Sequence, residues 1–160
     1  MPVPDDQLDF AVVAQLAGLA LTERTLDRLH ARGHTALRVA HGYLFQHLVE
    51  GPVSIGALAE RLGVSQQAVS KTAAELNAAG YVRYRTDAGD RRVRRVELTE
   101  RGHAAVRDAR EIRAELVGEL AERLGADRVE SARRTLLAAL ELAGGAAAVR
   151  RRRVRPLPGS

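Results

Sequence analysis

The sequence contains no cysteine. A disulfide scaffold, a cysteine-ligated zinc site, a thiol nucleophile and a thiol-based redox sensor are therefore excluded. Aromatic side chains are scarce, two Phe and three Tyr in 160 residues, so an aromatic cage around a ligand is poorly supplied. No apolar run approaches the roughly 20 residues of a membrane span, and no membrane partner is expected. Also missing are a nucleophile–base pair, a phosphate-binding glycine loop and paired acids in an apolar setting, so no enzyme is expected. The first ten residues are acidic, with Asp5, Asp6 and Asp9, and lack the basic-then-apolar layout of a signal peptide. A cytoplasmic location follows as the expectation.

What is present begins with charge. The 25 basic and 20 acidic residues give a formal net charge of +5, which by itself suggests a polyanionic partner. Five arginines, however, stand at 150–153 and 155 with no acid among them. Without that stretch the body is neutral, so any nucleic-acid reading must rest on how its charges are placed. The tail itself reads equally as a phosphate-contacting arm, a solubilising end or compositional drift.

Helical periodicity dominates the chain. A first helix is expected over 5–32, with Leu8, Val12, Leu16, Leu19, Leu26 and Leu29 on one face and Gly33 as its stop. A second spans 35–49, ended by Gly51-Pro52. Ser54 and Ser65 are N-cap candidates for two short helices, 55–62 and 66–79. The period changes after Gly80. Segments 81–86 and 92–98 read as strands joined by a turn at 87–90. Val93 is out of phase with Val96, so a bulge is expected near Arg94 and Arg95. Thr99 caps a long helix that Gly125 breaks, and a last helix runs over 127–148 with Val129, Leu136 and Leu140 in phase. The fold class is mainly α with a small β-hairpin.

The central segment carries the chemistry. In a helix-turn-helix the first helix braces the second, which enters the major groove. Val69, Ala73 and Leu76 share one side of the second helix, joined by Leu58 and Leu62 from the first. The other side presents Gln66, Gln67, Ser70, Lys71 and Ala74. Glutamine can bond adenine twice, and Lys71, the single lysine, can reach phosphate or guanine. An acid there would repel DNA, and Glu75 is the nearest, one turn along. The hairpin adds Arg83, Arg85, Arg91, Arg92, Arg94 and Arg95. Residues 61–95 hold eight basic and three acidic side chains, a local +5 that the rest of the body masks. An arginine-bearing hairpin tip suits the minor groove.

The run Leu62-Gly63-Val64-Ser65-Gln66-Gln67-Ala68-Val69-Ser70-Lys71 resembles the helix-turn-helix of the MarR family of winged-helix transcriptional regulators. So do Gly80-Tyr81-Val82-Arg83, Asp90-Arg91-Arg92 and Val96-Glu97-Leu98-Thr99-Glu100-Arg101-Gly102. The resemblance makes the hairpin the wing of a winged helix-turn-helix joined to a helical dimerisation region, and implies a homodimer on a pseudo-palindromic double-stranded DNA operator. Residues 1–34 would be an N-terminal dimerisation helix, 35–99 the DNA-binding region and 100–148 the C-terminal dimerisation helices, with the arginine-rich tail at 149–160. By motif position, Gln66, Gln67, Ser70 and Lys71 match base and phosphate contacts, Arg92 the wing arginine in the minor groove, and Asp90 the acid that orients it. Ser65, Arg85, Arg91 and Arg94 complete the residues expected near DNA. The resemblance further implies repression relieved by a small phenolic or anionic effector. A winged-helix protein-interaction or architectural module without ligand response is the alternative.

His30, His34, His41 and His47 cluster near the first helix junction. His34 and His41, seven apart, can share a helical face with Arg38 and form a cationic patch for that effector, with Tyr43 and Phe45 nearby. The plainer reading is that these histidines satisfy polar groups at a helix start. No acid or thiol nearby in sequence completes a metal site, and no metal or cofactor is expected.

Overall fold

Helix boundaries follow from caps. The computed structural model describes residues 8–86 and 94–144. Its elements are α1 (Phe10–Ala31), α2 (Val39–Leu48), β1 (Val53–Ser54), α3 (Ile55–Leu62), α4 (Gln66–Ala78), β2 (Val82–Thr86), β3 (Arg94–Leu98), α5 (Glu100–Leu124) and α6 (Ala126–Leu142). The Asp9 carboxylate accepts from the Val12 N–H, Ser54 Oγ from Ala57, Ser65 Oγ from Ala68 and Thr99 Oγ1 from Gly102. Each contact satisfies one orphan donor of a first helical turn. Gly63, at φ +67°, takes the left-handed conformation that closes α3 and turns the chain into α4.

The fold is mainly helical, with one small antiparallel sheet in the order β1-β3-β2. Two sequence expectations are corrected. The ladder runs unbroken through Thr86↔Arg94, Arg85↔Arg95, Tyr84↔Val96 and Val82↔Leu98, so there is no bulge at Arg94 or Arg95. The second helix starts at Val39 rather than near Thr35. The Leu37 N–H bonds the His34 carbonyl at 3.1 Å, forming a turn that buries Leu37 and leaves Arg38 extended as the N-cap. Strand β1 is an addition. Two residues carry no periodicity, yet Val53 and Ser54 pair with Val96 and Arg95 and hold the wing against the helices. The first and last helices are also shorter than expected: α1 starts at Phe10 behind its Asp9 cap rather than at residue 5, and α6 ends at Leu142, with Ala143 as its C-cap and Gly144 at φ +71°, rather than at residue 148. The expected turn at 87–90 lies outside the described residues.

Leu44, Leu48, Leu58, Val69, Leu76 and Ile112 form the centre of the core, closed by Tyr81, Val82 and Val96 from the sheet side. The apolar side expected of α4 is buried throughout. The outer helices differ. Helix α1 buries only Thr25 and Leu29, and α6 buries nothing. The stripe Val129, Leu136 and Leu140 therefore finds no full cover among the described residues. No helix among the described residues is long and apolar enough to cross a membrane.

Candidate nucleic-acid interface and an adjoining cavity

Helix α4 splits its faces as its sequence requires. Val69, Ala73 and Leu76 are buried, while Gln66, Gln67, Ser70, Lys71 and Ala74 are exposed. The exposed set begins in the first turn, directly after the Ser65 cap. Ser65 Oγ accepts from Ala68 at 3.1 Å, so its hydroxyl proton remains available to an acceptor outside. Amide, hydroxyl and ammonium groups on one open helical face, next to unpaired first-turn N–H groups, are suited to base edges and phosphates.

Glu75, the acid nearest that face, is not free. The Arg38 guanidinium from the start of α2 pairs with it, and His41 Nε2 lies 3.8 Å from the same carboxylate oxygen. The Arg38 N–H donates to His41 Nδ1 at 3.2 Å. Arg38 Nη2 also lies 3.2 Å from His41 Nε2, so the ring sits between the Arg38 backbone and its guanidinium, with Glu75 beside them. Burial, and then the Arg38 charge, push the His41 pKa below its ordinary value, with Glu75 opposing.

On the wing, Arg83 Nε donates to Glu97 at 2.6 Å, and Arg85 lies 3.6 Å from the other Glu97 oxygen. The bond from Arg83 is the main reason the Glu97 carboxyl titrates below its usual range. Arg85 therefore enters the site already sharing an acid, though still largely exposed. Arg94 is exposed and lies over the Tyr84 ring at 5.0 Å, a cation–π contact that holds its stem against the sheet. Asp90, Arg91 and Arg92 lie outside the described residues.

The histidines separate instead of sharing a face. His34 precedes α2 and is buried; its Nδ1 is 3.1 Å from the Tyr81 hydroxyl and its Nε2 is 2.9 Å from Asp108. The carboxylate can only accept, so Nε2 carries a proton, and in the neutral ring Tyr81 then donates to Nδ1. Both ring nitrogens of His34 thus have partners within the fold. Asp108, 74 residues away in sequence, is its unforeseen partner. Among the described residues no three His, Asp or Glu side chains converge to hold a metal.

A cavity of about 450 Å³ opens between α1, α2 and α5. Leu26, Leu29, Val39, Phe45, Val106 and Leu116 supply apolar wall. Of the five residues expected around an effector, Arg38, His41 and Phe45 line it, whereas His34 and Tyr43 do not. Sequence reasoning missed Arg110 and Arg113, which also line it. They interrupt the Val106, Ala109, Val117 stripe of α5 at three- and four-residue steps, and that interruption was the available signal. Partial burial and repulsion from Arg110 lower the Arg113 pKa.

The sequence profile of the MarR family matches residues 37–93. Among solved structures, a transcriptional regulator from Thermotoga maritima is similar at 22% identity and TM-score 0.64, covering 82% of this chain and 94% of that one. The apo form of MarR from E. coli is similar at 18% identity and TM-score 0.66, covering 83% and 97%. A mutant of MepR from S. aureus, bound to an oligodeoxyribonucleotide, is similar at 21% identity and TM-score 0.57, covering 84% and 98%. No curated protein sequence matches significantly.

Proposed function

With residues 37–93 a winged helix of the MarR family, we propose that the chain is a sequence-specific double-stranded DNA-binding transcriptional regulator acting as a homodimer. The observation that carries this reading is the division of α4. Its buried Val69, Ala73 and Leu76 fix the helix on the core, while Gln66, Gln67, Ser70 and Lys71 stand open on the other side. The oligonucleotide in the similar MepR structure supports the same partner. Ser65, Arg85, Asp90, Arg91, Arg92 and Arg94 belong to the proposed interface, with Arg92 in the minor groove. Dimerisation is assigned to 1–34 and 100–148, because α1 and α6 leave apolar stripes uncovered. We read the protein as a cytoplasmic repressor whose effector, small and phenolic or anionic, enters the cavity beside α2.

Selection of bound duplexes from a random pool tests the reading. A pseudo-palindrome with half-sites about one helical turn apart is expected. Failure to enrich any sequence, or enrichment of a single asymmetric site by a monomer, would overturn it. Arg92→Ala should weaken the selected site at moderate salt while leaving the oligomeric state unchanged.

A further inference from the structure

One residue, Arg38, connects the cavity to α4. Arg38 lines the cavity, and its guanidinium neutralises Glu75, the one acid on α4. Further along the cavity wall, Arg110 and Arg113 have no acid within ion-pair distance among the described residues, and the Arg110 charge bears on Arg113. Two unneutralised guanidinium groups beside an apolar wall suit a ligand with a carboxylate head and a hydrophobic body. Such an anion lowers the repulsion between the two arginines and competes with Glu75 for the third.

We propose that the Arg38–Glu75 pair is the hand-off between effector and DNA: a hydrophobic carboxylate in the cavity draws the Arg38 guanidinium away and leaves Glu75 uncompensated beside the DNA phosphates. This deepens the proposed function and rests on it for its DNA half. The Arg38 side chain is 62% exposed and that of Glu75 37% exposed, so the pair is held by charge rather than by packing and can exchange partners. His41 follows the change. Its Nε2 lies 3.8 Å from the same Glu75 oxygen, and the loss of the Arg38 charge makes its protonation easier.

The test uses the full chain and octanoate, with 1-octanol and octylammonium as neutral and cationic controls of equal chain length. In the absence of DNA, calorimetry should register octanoate and not octylammonium, and Arg110→Gln/Arg113→Gln should weaken octanoate at least tenfold. On the selected duplex, octanoate should lower affinity by roughly tenfold, the size expected for one uncompensated charge near phosphates at each half-site. Glu75→Gln should bind octanoate normally yet lose that response. Arg38→Gln should bind DNA weakly without any ligand, and Arg38→Gln/Glu75→Gln should recover it. A purely structural role for Arg38 predicts no such recovery. Equal binding of octanol and octanoate would overturn the ligand class. A full response in Glu75→Gln would overturn the hand-off. If the chain binds no duplex, the functional reading fails while the calorimetric arm still decides the ligand class.

Discussion

Single residues fix how the wing meets the helices, and Gly102 is the sharpest case. A Cβ built there falls 2.2 Å from the Tyr81 carbonyl oxygen and 3.0 Å from Leu98 Cδ2. The backbone oxygen cannot move away, because it accepts the Thr99 N–H at 3.0 Å. The glycine that ends the Leu98-Thr99-Glu100-Arg101-Gly102 run is thus demanded by close approach of α5 to the sheet. Gly102→Ala should cost about 2–3 kcal/mol through overpacking and lower Tm by roughly 5–10 °C in a thermal melt. An unchanged Tm would refute the close approach. Tyr81 contributes a second, independent constraint. It is fully buried, and its hydroxyl is the donor that satisfies His34 Nδ1. Tyr81→Phe should keep the packing and cost about 1–2 kcal/mol, the penalty for a buried acceptor left unmade. Denaturant titration would show it as a shifted midpoint with an unaltered slope.

Between elements, the junction of α2 with α4 is electrostatic and therefore pH-dependent. The folded-state pKa of His41 lies below its ordinary value of 6.5, chiefly through burial and secondarily through Arg38. The unfolded chain then takes up the proton first as pH falls. His41 contributes stability in full above pH 6.5, loses it through the window below, and stops losing it once pH is under the folded pKa. His41→Gln should accordingly narrow the difference in Tm between pH 8 and pH 5.5, and Arg38→Gln should raise the His41 pKa seen by NMR titration. Elements whose ends are set locally were legible in the sequence. Ser54, Ser65 and Thr99 each cap the helix they announce, and Val69, Ala73 and Leu76 bury the face their spacing implies. The misread elements are set across distance. The late start of α2 depends on His34 reaching Tyr81 and Asp108, 47 and 74 residues onward. The straight ladder at Arg94 and Arg95 depends on β1, which is too short to signal itself. The candidate site divides likewise: the α4 face was readable from one helix, but the cavity required three helices to meet.

At the scale of the whole molecule, apolar surface and charge each point outward to a partner. Phe10 and Leu16 on α1 and Leu136 and Leu142 on α6 are 56%, 51%, 45% and 91% exposed, a burden unusual for a soluble monomer. A homodimer that covers them should show a Tm rising with protein concentration, and Leu16→Glu should yield a monomer by sedimentation. Charge is arranged in the opposite sense. The acids of α5 are largely consumed by α1, with Arg28 on Glu119 at 2.6 Å and Arg32 on Glu111 and Glu115 at 2.9 and 2.6 Å. Those exposed pairs contribute little to stability, but they use up acids that would otherwise offset the local excess of basic residues over 61–95. The tail arginines at 150–153 and 155 are a second, separate basic region. Charge that engages phosphates appears as a salt slope, about 0.9 per contact, whereas base recognition appears as a ratio between sequences. A chain cut after Gly144 should therefore bind with a log–log salt slope shallower by up to about 4.5 per subunit, while its preference for the selected duplex over a scrambled one stays the same. An unchanged slope would show that the tail does not touch DNA. A lost preference would place sequence recognition in the tail and remove it from α4.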